Sequence, residues 1–369
     1  MIRHRFIAAL IGFYQRIVLA LVTFTVTLLV SANSLFGRVR MSHENGIACS
    51  GRLKITDDPK FPPHEFFQPG RSFGCRVRRA AASFKDDAKL VVRSASIKFQ
   101  DDRFNSPLDI LMNTGNVPLF WNARTFVGFM ASSIAGKGKH YVSYLRKHPQ
   151  AAVGGGDSVR RNPESFGNMV YHTKTVSGFI GQDSLFRYAR YRLIPDPWNG
   201  HESGTPDEWD RTHSWLQNPY RDETRSRNYL KDATRRFFDE GGKLRYRLQI
   251  QLRDKPESDP DPQWLSSAVP WDETRFPYVD VAEVELDKAL SYEESMLTWF
   301  HLGNHPESLP IPKARSIDDP HSLNHLRLAS IWARRARLFS YRLRGMPKAF
   351  PDSRKGEDWV GIPPLRDPP

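Results

Sequence analysis

The chain has 369 residues, 39% of them hydrophobic and 12% aromatic, enough for one large core or two modest ones. A formal net charge of +13 favours anionic partners such as phospholipid surfaces or fatty-acid carboxylates. No paired metal knuckle and no aromatic RNA-binding strand motif accompanies that charge, so no nucleic-acid partner is expected, and no short internal period suggests a solenoid.

Residues 1–37 form an apolar segment. Arg16 precedes Ile17 to Phe36, an uncharged run long enough to span a bilayer, which takes about 20 residues. Three readings stand: an anchor with arginines on both flanks, a secretory signal with a small-residue site at Ala32-Asn33-Ser34, or a helix of the fold. Membrane association of some kind is favoured, with the protein facing the cytoplasm; export after signal cleavage is the alternative. The two cysteines, Cys49 and Cys75, make no disulfide framework and no metal spacing, and a single bridge stays open.

Residues 47–56 and 90–99 alternate apolar with polar, as half-buried strands do. Tyr171 to Val176 and Leu185 to Leu193 read as a hairpin; Leu244 to Leu252 and Val279 to Leu286 are two further strands. Residues 196–222 and 254–270 are proline-rich loops, and Asn228 to Glu240 is a surface helix stopped by Gly241 and Gly242. Leu323 to Leu343 is expected to form one long basic amphipathic helix. Its arginines (Arg334, Arg335, Arg337, Arg342 and Arg344) are assigned to a solvated face. A proline-rich tail occupies 346–369. Antiparallel strands without regular intervening helices predict an α+β fold built on a closed antiparallel β-barrel with surrounding helices, over residues 38–345.

Two motifs carry chemistry. Arg40-Met41-Ser42-His43-Glu44-Asn45-Gly46 stands before the first strand, and Asp109-Ile110-Leu111-Met112-Asn113-Thr114-Gly115 lies about seventy residues later. A histidine moves a proton, an asparagine amide orients a peroxide oxygen, and an arginine neutralises a carboxylate. Together these are the parts for handling a peroxide bond.

The motifs resemble the distal haem pocket of the catalase superfamily, and are most similar to its small branch of allene oxide synthase-like fatty-acid hydroperoxide enzymes. The likeness continues through Asp57 to Phe67, Gly70-Arg71-Ser72-Phe73, Arg93 to Phe99, Phe120-Trp121-Asn122, Tyr246 to Gln251, Trp271 to Tyr278 and Asn304 to Leu309. The resemblance implies haem b as cofactor, His43, Asn113 and Ser42 as catalytic residues, and Arg40, Arg78, Phe126 and Arg327 as cofactor-binding ones. It implies a hydroxyl at Ser42 that bonds the imidazole and favours organic peroxides over hydrogen peroxide.

The family's axial tyrosinate follows an arginine four residues earlier, and two registers offer it. Arg337-Leu338-Phe339-Ser340-Tyr341 resembles the proximal segment of true catalases, with Tyr341 as the metal ligand. Counting without a gap from Asn304 instead puts Arg327 at the arginine and Ile331, which cannot ligate iron, at the tyrosine. The expected function is haem-dependent cleavage of the O–O bond of an organic, fatty-acid-like hydroperoxide at a membrane surface. The alternative is a haem-free catalase-like protein that binds a lipid or small molecule. Oligomeric state stays open.

Overall fold

A computed structural model describes residues 2–40, 42–82, 86–135, 139–212, 223–255, 262–349, 351 and 352. Most of the proline-rich tail, 353–369, and part of the 196–222 loop lie outside the described residues.

The chain opens with one helix, α1 (Ile2–Gly37), free of proline and of acidic residues. Two of its three threonines hide their hydroxyls by bonding back along the helix: Thr23 Oγ1 donates to the Leu19 carbonyl at 2.8 Å and Thr27 Oγ1 to that of Thr23 at 2.6 Å. Four strands follow, β1 (Gly46–Ile55), β2 (Ser72–Ala81), β3 (Val91–Lys98) and β4 (Asp109–Thr114). Next come α2 (Ala123–Ala135), α3 (Lys139–Lys147) and α4 (Pro149–Ser158), then β5 (Val159–Arg160), β6 (Tyr171–Thr173), β7 (Ser177–Ile180) and β8 (Phe186–Pro195). The remainder comprises α5 (Glu208–Thr212), α6 (Tyr229–Asp239), β9 (Leu244–Asp254), β10 (Tyr278–Ala289), α7 (Tyr292–Leu297), α8 (Ser322–Leu328) and α9 (Ser330–Arg344).

Antiparallel pairing runs β2-β1-β10-β9-β8-β6-β4-β3, and β3 pairs back onto β2, so the expected barrel closes. β7, inside the stretch expected to be only a connection, pairs with β8. A bulge lies at Gly51, where the β1–β10 register shifts and an added Cβ would collide with the Glu285 carbonyl. The barrel interior is mostly apolar, with Leu53, Val77, Ile97, Tyr171, Leu193 and Val284 in one core cluster, and it also buries Arg79, which donates to the Tyr246 hydroxyl at 3.0 Å and to Cys49 Sγ at 2.8 Å. Cys49 and Cys75 are buried free thiols, so no bridge forms between them.

The long basic helix expected near the end is two helices, α8 and α9, which meet at Ala329.

Strand β4 is pinned at its first residue. The buried Asp109 carboxylate accepts hydrogen bonds from Lys98 Nζ at 3.1 and 3.2 Å, from the His301 N–H at 2.8 Å and from Asn304 Nδ2 at 2.8 Å. Removing one partner of a buried pair strands the other charge. Asp109→Ala should cost about 3–5 kcal/mol in urea unfolding, and Lys98→Met combined with Asp109→Leu should recover most of it.

Candidate functional site

Alternation along the barrel strands decides which residues face outward. Val77, Ala95, Ile97, Ile110 and Met112 fill the interior, while Arg78, Ser94, Ser96, Leu111 and Asn113 point out. Strand register sets these outward residues side by side: Arg78 opposes Ser96, Ser96 opposes Leu111, and Ser94 opposes Asn113. They floor a cavity of about 310 Å³ outside the barrel. The roof is α8 and α9, contributing Leu323, Leu326, Arg327, Ala329, Ser330, Ala333, Arg334 and Arg337. Phe120, Phe126, Trp299 and Phe300, with Val26, Thr27, Val30 and Ser34 of α1, complete the lining.

His43 enters the cavity from the turn before β1. Its φ of 60° lies in the left-handed region, a strained conformation for a side chain of this kind. The turn is held by its neighbours: the His43 N–H donates to the Ala82 carbonyl, and Arg78 Nη1 donates to the His43 carbonyl at 2.7 Å. Arg78 also grips the Glu44 carbonyl at 2.8 Å and the Ser295 carbonyl at 3.0 Å. All three of its nitrogens are thus committed to backbone, which makes it first a clamp on the histidine turn. Arg40 is similarly tied, through Nη2, to the Met296 and Thr298 carbonyls at 2.8 and 2.7 Å, at the carboxyl end of α7. Its Nε stays buried and unpartnered beside the cavity.

Ser42 Oγ lies 2.7 Å from His43 Nδ1, and His43 Nε2 is buried without a partner. Burial, reinforced by Arg78, Arg327 and Arg40, pushes the imidazole down to about 4 against only a weak upward pull from Asn113. The ring is neutral at pH 7. Asn113 and Phe126 line the same cavity, and Phe126 packs edge-on to Phe120 at 5.0 Å.

The roof departs from expectation. Arg327 lines the cavity and donates from Nη1 to Thr175 Oγ1 at 3.0 Å. Burial without an acidic neighbour brings it down to about 10. Tyr341 is buried one turn beyond Arg337 but does not line the cavity, and its hydroxyl has no partner. Burial raises the phenol despite Arg337, Arg40 and Arg78 nearby, so it stays protonated. Ile331 is half-buried on α9, also outside the lining. The assignment of the α9 arginines to a solvated face is corrected for two of them. Arg337 is 2% exposed, and Arg334 lies 3.3 Å above the Trp299 ring; both line the cavity, whereas Arg335, Arg342 and Arg344 are exposed. Sequence reasoning also missed Trp299 and the α1 wall, although the arginine spacing 327, 334, 337 was a usable signal.

Among the described lining residues, Arg40, Arg78, Arg327, Arg334 and Arg337 contribute five cations and no carboxylate lines the cavity. Glu44, just behind Arg40, accepts from the Arg40 backbone N–H at 2.7 Å. Such an excess of buried positive charge calls for an anionic guest. A haem fits on one side only. His43, Asn113, the small Ser94 and Ser96 floor and the arginines suit its distal face and carboxylates, but the described roof offers only Arg, Leu, Ala and Ser, none a haem-iron ligand.

The closed antiparallel barrel with surrounding helices is also the fold of solved catalases. Catalase A from Saccharomyces cerevisiae superposes with a TM-score of 0.63 over 86% of this chain and 66% of that one, at 15% identity. In sequence, the allene oxide synthase-lipoxygenase protein of Plexaura homomalla is 34% identical over 309 residues, 82% of this chain. The chain belongs to the catalase-like superfamily. Linolenate 9R-lipoxygenase of Nostoc sp. is 30% identical over 305 residues, 79% of this catalase-like chain. The chain spans 28% and 38% of those two relatives, so it corresponds to part of each. No protein-family model matches it.

The depressed His43 gives a signed pH dependence. Above its ordinary value of 6.5 the ring is neutral folded or unfolded; between 6.5 and about 4 only the unfolded chain takes the proton, so acid favours unfolding. His43→Asn should flatten the stability profile across that window by about 2–3 kcal/mol, measured by urea unfolding at a series of pH values.

Proposed function

We propose that this protein binds a fatty-acid hydroperoxide in the arginine-lined cavity and acts on its O–O bond. The observation that carries the reading is the pairing of five cavity arginines, with no carboxylate among the described lining residues, with a neutral His43 whose Nε2 is free. The arginines neutralise acid groups, and the apolar walls (Phe120, Phe126, Leu323, Leu326) hold hydrocarbon. His43 exchanges the hydroperoxide proton through Nε2, and the Ser42 hydroxyl at Nδ1 serves either tautomer. Asn113 offers its amide N–H to the second peroxide oxygen. The similarity to proteins named allene oxide synthase-lipoxygenase and linolenate 9R-lipoxygenase supports fatty-acid hydroperoxide metabolism as the setting.

Haem b is the cofactor that the catalase likeness implies; when bound it would supply the iron at which a peroxide bond is cleaved. Arg40, Arg334 and Arg337 would hold its carboxylates, beside Phe126. A second reading, a haem-free protein that binds the lipid, is favoured by one observation: among the described residues, neither Tyr341 nor any other ligating side chain lines the roof.

His43→Ala should lower consumption of a long-chain hydroperoxide at least about 100-fold while binding of the parent fatty acid stays within about twofold. Unchanged turnover would remove His43 from the chemistry. In a haem titration followed by the Soret band, Tyr341→Phe should match the wild type, because the phenol lies off the cavity. Loss of uptake in that variant would put Tyr341 under the iron. If neither protein takes haem and both bind the acid, the second reading stands.

A further inference from the structure

Helix α1 does two things at once. From Leu19 onward, one stripe of it (Leu19, Val26, Val30, Ser34) turns inward, and the last three of these wall the cavity. On the opposite side Ile7, Leu10, Tyr14, Ile17, Leu21, Phe24 and Leu28 are exposed at three- and four-residue intervals. Arg344 of α9 donates to the Leu35 and Phe36 carbonyls, and Arg38 donates to the Arg344 and Gly345 carbonyls at 3.1 and 3.2 Å. The two helices therefore run side by side with their carboxyl ends together. α9 also exposes a large apolar set, Trp332, Phe339 and Leu343, each more than half accessible. Neither helix contains an acidic residue, while Arg16, Arg335 and Arg342 are exposed at their edges.

A helix whose inner face lines a cavity of arginines is not lipid-covered all round. The part of α1 before Leu19, about 26 Å at 1.5 Å per residue, falls short of a bilayer core and carries Arg16 at its end. Both facts count against a perpendicular span, and an amphipathic pair lying in the headgroup region satisfies them.

We infer that α1 and α9 form a monotopic platform that rests on an anionic phospholipid bilayer, so that the cavity behind α1 lies at the membrane surface. The outward leucines, phenylalanines and Trp332 enter the acyl boundary; the arginines extend to lipid phosphates. Docking itself does not depend on the proposed chemistry, but its use, delivery of a lipid hydroperoxide from the bilayer, rests on that reading.

The test uses the full chain, purified in mild detergent and mixed with phosphatidylcholine vesicles with or without phosphatidylglycerol. Flotation should be stronger with phosphatidylglycerol, and brominated acyl chains should quench tryptophan emission, with about half or more of the quenching lost in Trp332→Phe. Leu21→Asp/Phe24→Asp/Leu28→Asp, all outward positions, should cut vesicle partitioning at least about tenfold without changing the thermal midpoint appreciably. Quenching unaltered by Trp332→Phe would overturn the platform. So would a lipid-free dimer that shields Trp332, since that would give the surface to a second copy. Failure of the catalytic reading shows separately, as absent turnover with quenching intact.

Discussion

Positive charge gathered in one cavity is the constraint around which the catalase-like pocket is built. Arginines cost several kcal/mol to bury without partners, and the protein offsets this with backbone carbonyls more than with carboxylates. Arg78 and Arg40 converge on the Ser295, Met296 and Thr298 carbonyls at the end of α7, where the helix dipole supplies partial negative charge. Those same bonds fasten α7 to β2 and to the His43 turn. The electrostatic solution is thus also the mechanical one: the clamp that tolerates the cations holds the imidazole in its left-handed pose. What is left over, the free Nε of Arg40 and Arg337 and the unpartnered Nε2 of His43, faces the cavity region and gives it an appetite for an anion.

The barrel contributes rigidity rather than an interior site. Its inside is filled by a mostly apolar cluster together with the buried Arg79, and the cavity lies on the outer face. Ser94 and Ser96 make that face shallow where the bulkier outward residues Arg78 and Asn113 frame it. Asn113 is fixed by pairing with Ser94 on one side and His172 on the other, and by the Asp109 anchor four residues upstream. A side chain set on a paired strand keeps its direction better than one on a loop, which suits an amide that has to meet one particular oxygen.

The strands and the distal motif were legible because their signals are local. Period-two alternation identifies a half-buried strand wherever it lies, and Arg40, Ser42, His43 and Asn113 sit on or beside such strands. The roof was less legible because its environment is set by distant chain. An arginine on an amphipathic helix reads as solvated unless one knows that α1 and β2 enclose it; Arg337 is buried by exactly such long-range packing. The break at Ala329 has no proline or glycine to announce it, since both flanking helices have ordinary helix formers. The two axial registers could not be separated from spacing, and in the folded chain neither Tyr341 nor Ile331 reaches the cavity.

α1 shows why a hydropathy profile underdetermines an apolar helix. The stretch Ala9–Gly37 contains an 18-residue window with a mean hydropathy of 2.0, which by length and composition is enough to cross a membrane, yet only 11% of that window is buried in the protein. Hydropathy averages over the circumference, whereas packing divides it: one stripe closes a polar cavity and the other meets the surroundings. Detaching α1 would open the cavity to water and raise the dielectric around Arg40, Arg334 and His43, relaxing the field that keeps the imidazole neutral. Cavity chemistry and the disposition of α1 are therefore coupled through one helix. Any influence that shifts α1 against α9 acts on the site directly, because Val26, Val30 and Ser34 are its wall.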